Sequence, residues 1–159
     1  MKLHHIAIGL LVANLLPAQA FAQNLWQNVN GGMSVAEVRA AQPAAVSVAK
    51  PEALVTGATD ELQIPETQFH GLPFDARFFF LGGKLVQVNL TAKGRVQRAD
   101  YDRLVNTLKA QHGPETSSGP TAIGQQTRWD NVAGLNIGLN YLSELGYRLY
   151  LNFGVRVPT

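Results

Sequence analysis

The alternation of apolar and polar side chains is clearest in the middle of the chain. Every second residue is apolar in Phe74, Ala76, Phe78 and Phe80, and Asp75, Arg77 and Phe79 stand between them. This period of two predicts a half-buried β-strand. Gly82-Gly83 follows and supplies the two positive-φ positions of a tight turn, and the run from Lys84 to Thr91 alternates again. We therefore predict an antiparallel hairpin here.

A second alternating region lies near the C-terminus. It begins with a strand near Gln125–Trp129 and continues with apolar residues at Leu135, Ile137, Leu139 and Tyr141. Ser143–Gly146 reads as a turn, and the run from Tyr147 to Phe153 returns. On the returning strand, Leu149, Leu151 and Phe153 share one face, and Arg148, Tyr150 and Asn152 share the other. This pattern predicts a second hairpin.

A complete local helix signal comes earlier, between Gly31 and Pro43. Ser34 is a good N-cap residue, and Glu37 three positions later completes a capping box. Met33 before the cap and Val38 in the helix form a hydrophobic staple. Pro43 ends the helix, because the residue before a proline is displaced from the α region. The sequence predicts a two-turn helix over 34–41.

A second helix is predicted from Asp100 to His112. Its apolar stripe has helical spacing and is formed by Tyr101, Leu104, Val105 and Leu108. Gly113-Pro114 supplies a C-terminal glycine and a helix breaker. Two other regions are less regular: 44–65 predicts one or two short strands with turns, and the Ser/Gly/Pro-rich stretch 115–124 predicts a loop.

The order of these elements predicts an α+β fold. We expect two tandem helix-plus-antiparallel-hairpin units, roughly 31–92 and 98–155, with the helices packed on one face of antiparallel sheet. The 159 residues suffice for one domain over 23–159 with a core of its own.

The N-terminus predicts export. Lys2 precedes an apolar run of about a dozen residues, too short to span a bilayer, and a small-residue site follows. Residues 1–22 are therefore interpreted as a signal peptide cleaved after Ala22, with Ala20 as the alternative. The expected location is periplasmic or secreted.

Composition narrows the possible partners. The chain has no cysteine, which excludes disulfides, a thiolate nucleophile and a lipid anchor on an N-terminal cysteine. Lys2 is the only charged residue of the predicted signal, so the exported chain is nearly neutral. No basic stripe with interleaved aromatics is present, so we expect no nucleic-acid partner. No second apolar segment is long enough for a membrane span.

The motif Gly32-Met33-Ser34-x-x-Glu37-Val38-x-x-x-x-Pro43, after an aromatic lead, carries a family resemblance. It resembles the opening motif of the SmpA/OmlA (BamE-like) superfamily of small outer-membrane assembly proteins. It is also similar to the related β-lactamase-inhibitor-protein-like double α-β periplasmic domain. The resemblance implies a short helix on an antiparallel sheet and a periplasmic binding role. The assembly proteins of this superfamily are lipoproteins with a cysteine at the mature N-terminus, and this chain has no cysteine. It also has Gln42, where they usually have glycine, before the proline.

Chemistry-bearing motifs are not found in the sequence. Gly82-Gly83 sits in a predicted hairpin and not at the strand-to-helix turn of a phosphate loop. His70 lies near Glu66 and Asp75 in the sequence and could act as a general base or a metal ligand. A histidine in a turn before glycine is more often structural. We therefore expect no enzyme activity, no cofactor and no metal.

The remaining candidates are on the surface. Five residues on the strands combine arginine, aromatic and amide groups, which anchor many interfaces: Arg77, Phe79, Arg148, Tyr150 and Asn152. The alternative for Phe79 is burial under a helix or loop. The sequence thus predicts a non-catalytic periplasmic binding or adaptor module with an envelope protein as partner. The alternative is a carrier of a small apolar ligand or lipid, held between the Phe-rich strands.

Overall fold

The computed structural model describes residues 23–155. Its strands are β1 (Asn24–Trp26), β2 (Val29–Asn30), β3 (Val46–Ser47), β4 (Thr59–Phe69), β5 (Leu72–Leu81), β6 (Lys84–Ala92), β7 (Ser117–Thr121), β8 (Gly124–Val132), β9 (Leu135–Leu142) and β10 (Arg148–Val155). Its helices are α1 (Val35–Ala41), α2 (Arg98–His112) and a single 3₁₀ turn at Ser143–Leu145. The predicted signal peptide and its cleavage site lie outside the described residues.

Eight strands form one antiparallel sheet in the order β3-β4-β5-β6-β10-β9-β8-β7. The β5–β6 hairpin turns at Gly82-Gly83, as its alternation predicted. The two runs of strands, β3–β6 and β7–β10, join where β6 pairs with β10, so that Asn89 lies opposite Asn152.

The predicted fold class is wrong. The described residues are 51% strand and 19% helix, and the strands form one large sheet. The molecule is therefore not a pair of helix-plus-hairpin units with helices packed on one face of the sheet. The prediction gave too much weight to two capped helices and too little to strands whose partners are distant in sequence.

Two strands account for most of the sheet that the sequence did not predict. Residues 117–121, predicted as a loop, form the edge strand β7, because each residue pairs with β8 and an edge strand tolerates Pro120. Residues 59–69 form one strand of eleven residues, not short strands with turns. Pro65 is accommodated at an irregularity in the pairing between Ile64 and Thr67.

The core lies on one face of the sheet and is a single apolar cluster. Phe78, Val88 and Leu151 are fully buried there. The β1–β2 hairpin contributes Trp26, whose ring centroid lies 5.9 Å from that of Phe78. From α2, the Tyr101 hydroxyl lies 2.6 Å from Thr127 Oγ1, and both residues are buried.

The capping box of α1 is confirmed. The Glu37 backbone N–H donates to Ser34 Oγ, and the Ser34 backbone N–H donates to Glu37 Oε2 at 2.7 Å. This second hydrogen bond stabilises the ionised carboxylate and lowers the pKa of Glu37 below its ordinary value. Val38 is the fully buried residue of this helix, and Val35 and Ala41 pack partly buried against the core beside it.

We expect Ser34→Ala to lower the free energy of unfolding by about 1 kcal/mol at pH 7, because it removes the N-cap acceptor and also the hydrogen bond that Ser34 Oγ donates to the ionised Glu37 Oε2 at 2.7 Å. The pKa of Glu37 is depressed on folding, so its contribution is present above the unfolded pKa and is lost as the pH falls through the folded pKa. Urea unfolding at pH 7 and at about pH 3 checks this. An undiminished difference between wild type and variant at the acidic pH contradicts it.

Candidate functional site

The face of the sheet opposite the core, called the open face here, is mostly polar. Strand pairing places the following residues on it: Gln63, Asp75, Arg77, Phe79, Gln87, Asn89, Thr91, Gln126, Arg128, Asn136, Asn140, Arg148, Tyr150 and Asn152. Most are half-buried. An antiparallel sheet commonly leaves one face to solvent, and the alternation of each strand decides which side chains lie there.

Hydrogen bonds between neighbouring side chains order the middle of the open face. The amide of Gln87 donates to Asn89 Oδ1 at 2.7 Å, and that of Gln126 donates to Asn140 Oδ1 at 2.8 Å. Asn152 lies against Gly138, where an added Cβ atom would come within 2.5 Å of Asn152 Oδ1. The missing side chain at Gly138 therefore gives the Asn152 amide room on the face.

Residues 52–60, called the strap here, fold back onto the open face. The strap is anchored by Asp60, which is fully buried. Its carboxylate accepts hydrogen bonds from the Glu52 backbone N–H and, at 2.7 Å, from Arg77 Nη1. Glu52 also lies 3.6 Å from Arg77 Nη1, so one guanidinium joins both ends of the strap to β5. A buried carboxylate with two donors is well compensated for its loss of water.

The strap forms one wall of a groove of about 410 Å³. Four of the five predicted surface residues line this groove: Arg77, Phe79, Tyr150 and Asn152. Phe79 is only 4% exposed, in line with the alternative interpretation of burial. Arg148 lies on the same face at the start of β10, where it lines a second depression with Asp75 and Lys93. The fold thus brings the five residues to one face.

The tip of the strap carries a feature that the sequence reading missed. Val55 is fully exposed, with a relative accessibility of 108%. The turn that carries it is held by two backbone hydrogen bonds of 2.8 Å, from Leu54 N–H to the Ala58 carbonyl and from Gly57 N–H to the Leu54 carbonyl. In the sequence, Leu54-Val55 is a short apolar run that Gly57 interrupts. Only the burial of Asp60, which the sequence does not reveal, shows that this turn is braced.

The two histidines of the described residues, His70 and His112, have different surroundings. His70 lies at the β4–β5 turn with a positive φ of 48°, and its ring meets that of Phe69 edge-on at 4.4 Å. His112 ends α2, where partial burial lowers its pKa. Among residues 23–155, no group of three or more His, Asp or Glu side chains is placed to hold a metal ion.

Comparison with known proteins gives no relative: no protein-family model, curated protein or solved structure matches the chain. Between residues 23 and 155, the helices are too short or too polar to cross a membrane.

Proposed function

We propose that this protein is an exported, non-catalytic binding module that docks a protein partner of the cell envelope on its open face, with Val55 as the apolar anchor. The observation that carries the proposal is the fully exposed Val55 on a braced turn beside a polar groove. An apolar side chain on a backbone turn that is already ordered before binding costs little further backbone entropy on docking, which favours affinity.

The open face supplies what such an anchor needs around it. Interfaces combine a small apolar centre with surrounding hydrogen bonds, and Tyr and Arg are enriched in them. Tyr150, Asn152 and Asn89 offer donors and acceptors next to the strap. Asp60 neutralises much of the charge of Arg77. The partner that fits has an apolar pocket for Val55 beside a polar, nearly uncharged surface.

The carrier of an apolar ligand is not favoured by these observations. The Phe-rich strand β5 directs Phe74, Phe78 and Phe80 into the core cluster, where a ligand does not reach them. The groove on the open face is lined largely by amide, hydroxyl and charged side chains.

Site-specific photo-crosslinking in the exporting cell tests the proposal. A photoreactive residue at Asn152 is expected to capture one protein, and the same residue at the exposed Asn106 of α2 is the matched control. Val55→Asp is expected to reduce capture at 152 by about tenfold or more, as is usual for loss of an interface anchor. Ala110→Asp, which adds the same charge at an exposed position of α2 on the core side of the sheet, should leave capture unchanged. Equal capture at 152 and 106, or no effect of Val55→Asp, contradicts the proposal.

A further inference from the structure

One end of the sheet gathers four connections, and this region is called the loop end here. They are the β4–β5 turn at 70–71, the β6–α2 connection at 93–97, the β7–β8 turn at 122–123 and the β9–β10 connection at 143–147. Because neighbouring strands are antiparallel, these connections all leave the sheet in the same direction. The loop end is distinct from the Val55 turn, which lies toward Leu81, where β5 ends at the opposite end of the sheet.

Exposed apolar side chains concentrate at the loop end. Of the five large hydrophobic residues that are exposed within residues 23–155, three lie there: Ile123 at 40%, Leu145 at 52% and Tyr147 at 39%. They come from two connections that are remote in sequence, so their proximity is a property of the fold. A group of exposed apolar side chains on adjacent turns indicates an interaction site.

Backbone hydrogen bonds hold these connections together. The Glu144 N–H donates to the Ile123 carbonyl at 3.3 Å, and the Val96 N–H donates to the Tyr147 carbonyl at 2.9 Å. Tyr147 has a positive φ of 59°, an uncommon conformation for a residue other than glycine. The apolar side chains are thus carried by turns that backbone hydrogen bonds join to one another.

Cationic side chains surround the apolar group. The guanidinium of Arg95 stacks over the Tyr147 ring, with its Cζ 3.9 Å from the ring centroid. Arg148 follows Tyr147 directly and is exposed. Within residues 23–155 neither arginine is ion-paired with a carboxylate, whereas Lys93 is paired with Glu66 and Asp75. Glu144 is the acidic residue of the β9–β10 connection, and Asp75 lines the same depression as Arg148.

We propose that the loop end binds to the surface of an anionic lipid bilayer, with Ile123, Leu145 and Tyr147 at the boundary of the acyl chains and Arg95 and Arg148 among the headgroups. Tyrosine is favoured at this depth, because its ring is apolar and its hydroxyl is polar. Arginine places its apolar stem near the acyl chains and its charge near lipid phosphates. A bilayer surface meets the tips of several turns at once, which matches side chains that leave one end of a sheet. This inference does not depend on the Val55 anchor.

Flotation with vesicles tests it, using protein recovered after export. The vesicles are 7:3 phosphatidylethanolamine to phosphatidylglycerol, and phosphatidylcholine alone for comparison. Binding is expected to the anionic vesicles, and to weaken with added salt. Leu145→Asp combined with Ile123→Asp is expected to reduce it by about tenfold or more, because both side chains lose their apolar contact with lipid. Val46→Asp is the matched control and should bind like the wild type.

Two further variants separate lipid binding from a protein contact. Glu144→Gln is expected to strengthen binding to the anionic vesicles, since it removes a negative charge from the β9–β10 connection, and Arg95→Gln is expected to weaken it. All variants have the same N-terminal residues, so any contribution of those residues to vesicle binding is the same in each. Differences in vesicle binding between the variants therefore report on the loop end. No vesicle binding, or binding that the double aspartate variant leaves unchanged, overturns the proposal. Self-association through the loop end also overturns it. Light scattering would show this as an oligomer mass for the wild type that falls only in the double aspartate variant.

Discussion

Replacing Phe78 with alanine is expected to lower the free energy of unfolding by about 4 kcal/mol. Phe78 is fully buried near the middle of the sheet, with Leu62 and Val88 as its neighbours on the adjoining strands and the Trp26 ring above it. Its removal leaves a cavity between the sheet and the β1–β2 hairpin, which the surrounding strands cannot close. Since a domain of this size is stable by about 5–15 kcal/mol, the loss is a large share of the total.

The neighbouring phenylalanine provides the control. Phe79 is almost as buried, but it faces the groove on the open face and is not part of the core cluster. Phe79→Ala is therefore expected to cost about half as much, because water can fill the space that it leaves. Urea unfolding of both variants, followed by tryptophan fluorescence, measures the two losses. Equal losses would contradict the assignment of the core to one face of the sheet.

The parts of the fold that the sequence predicted are those that short-range rules determine. The capping box at Ser34 and Glu37 needs only residues three positions apart, and it forms as expected. The β5–β6 hairpin needs alternation and the two glycines at Gly82-Gly83, and it forms too. The capping partners are three residues apart, and the two strands of the hairpin are joined directly by its two-residue turn.

The sheet as a whole depends on pairings that no local pattern encodes. β6 and β10 are joined side by side although Asn89 and Asn152 are far apart in sequence. The edge strand β7 has the composition of a loop, and it becomes a strand because β8 offers a row of backbone partners. The predicted fold class failed at this point, because alternation identifies single strands but not the order in which they pair.

The candidate site was predictable to a similar extent. Alternation alone assigned Arg148, Tyr150 and Asn152 to one side of their strand, and the pairing of strands then placed Arg77 and Phe79 on the same face. The strap could not be foreseen. Its position depends on a buried carboxylate, and Asp60 in the sequence resembles any solvated residue of an Asp-Glu pair.

Replacing Arg77 with methionine is the second change with a large expected effect. Asp60 would remain fully buried without its guanidinium partner, and a buried, uncompensated carboxylate is costly. Breaking a wholly buried pair typically costs roughly 3–5 kcal/mol, but about a third of Arg77 is exposed, so we expect about 2 kcal/mol. Part of this loss is expected as local release of the strap, because the Asp60 carboxylate that Arg77 pairs with also accepts the Glu52 backbone N–H at the other end of the strap.

Release of the strap connects this loss of stability to binding. If Asp60 holds the Val55 turn for the partner, Arg77→Met should lower capture from position 152 about as much as Val55→Asp does, even though Val55 is intact. Hydrogen exchange of the Leu54 and Gly57 amides should quicken in the variant, while that of the core strands β6 and β10 is unchanged. The variant Asp60→Asn combined with Arg77→Met leaves no buried charge unpaired, so it should recover part of the stability but not the binding. If the double variant recovers both stability and capture, the Asp60–Arg77 pair matters only for the fold. If the amides of Arg77→Met exchange fast while capture is undiminished, binding does not need a rigid Val55 turn.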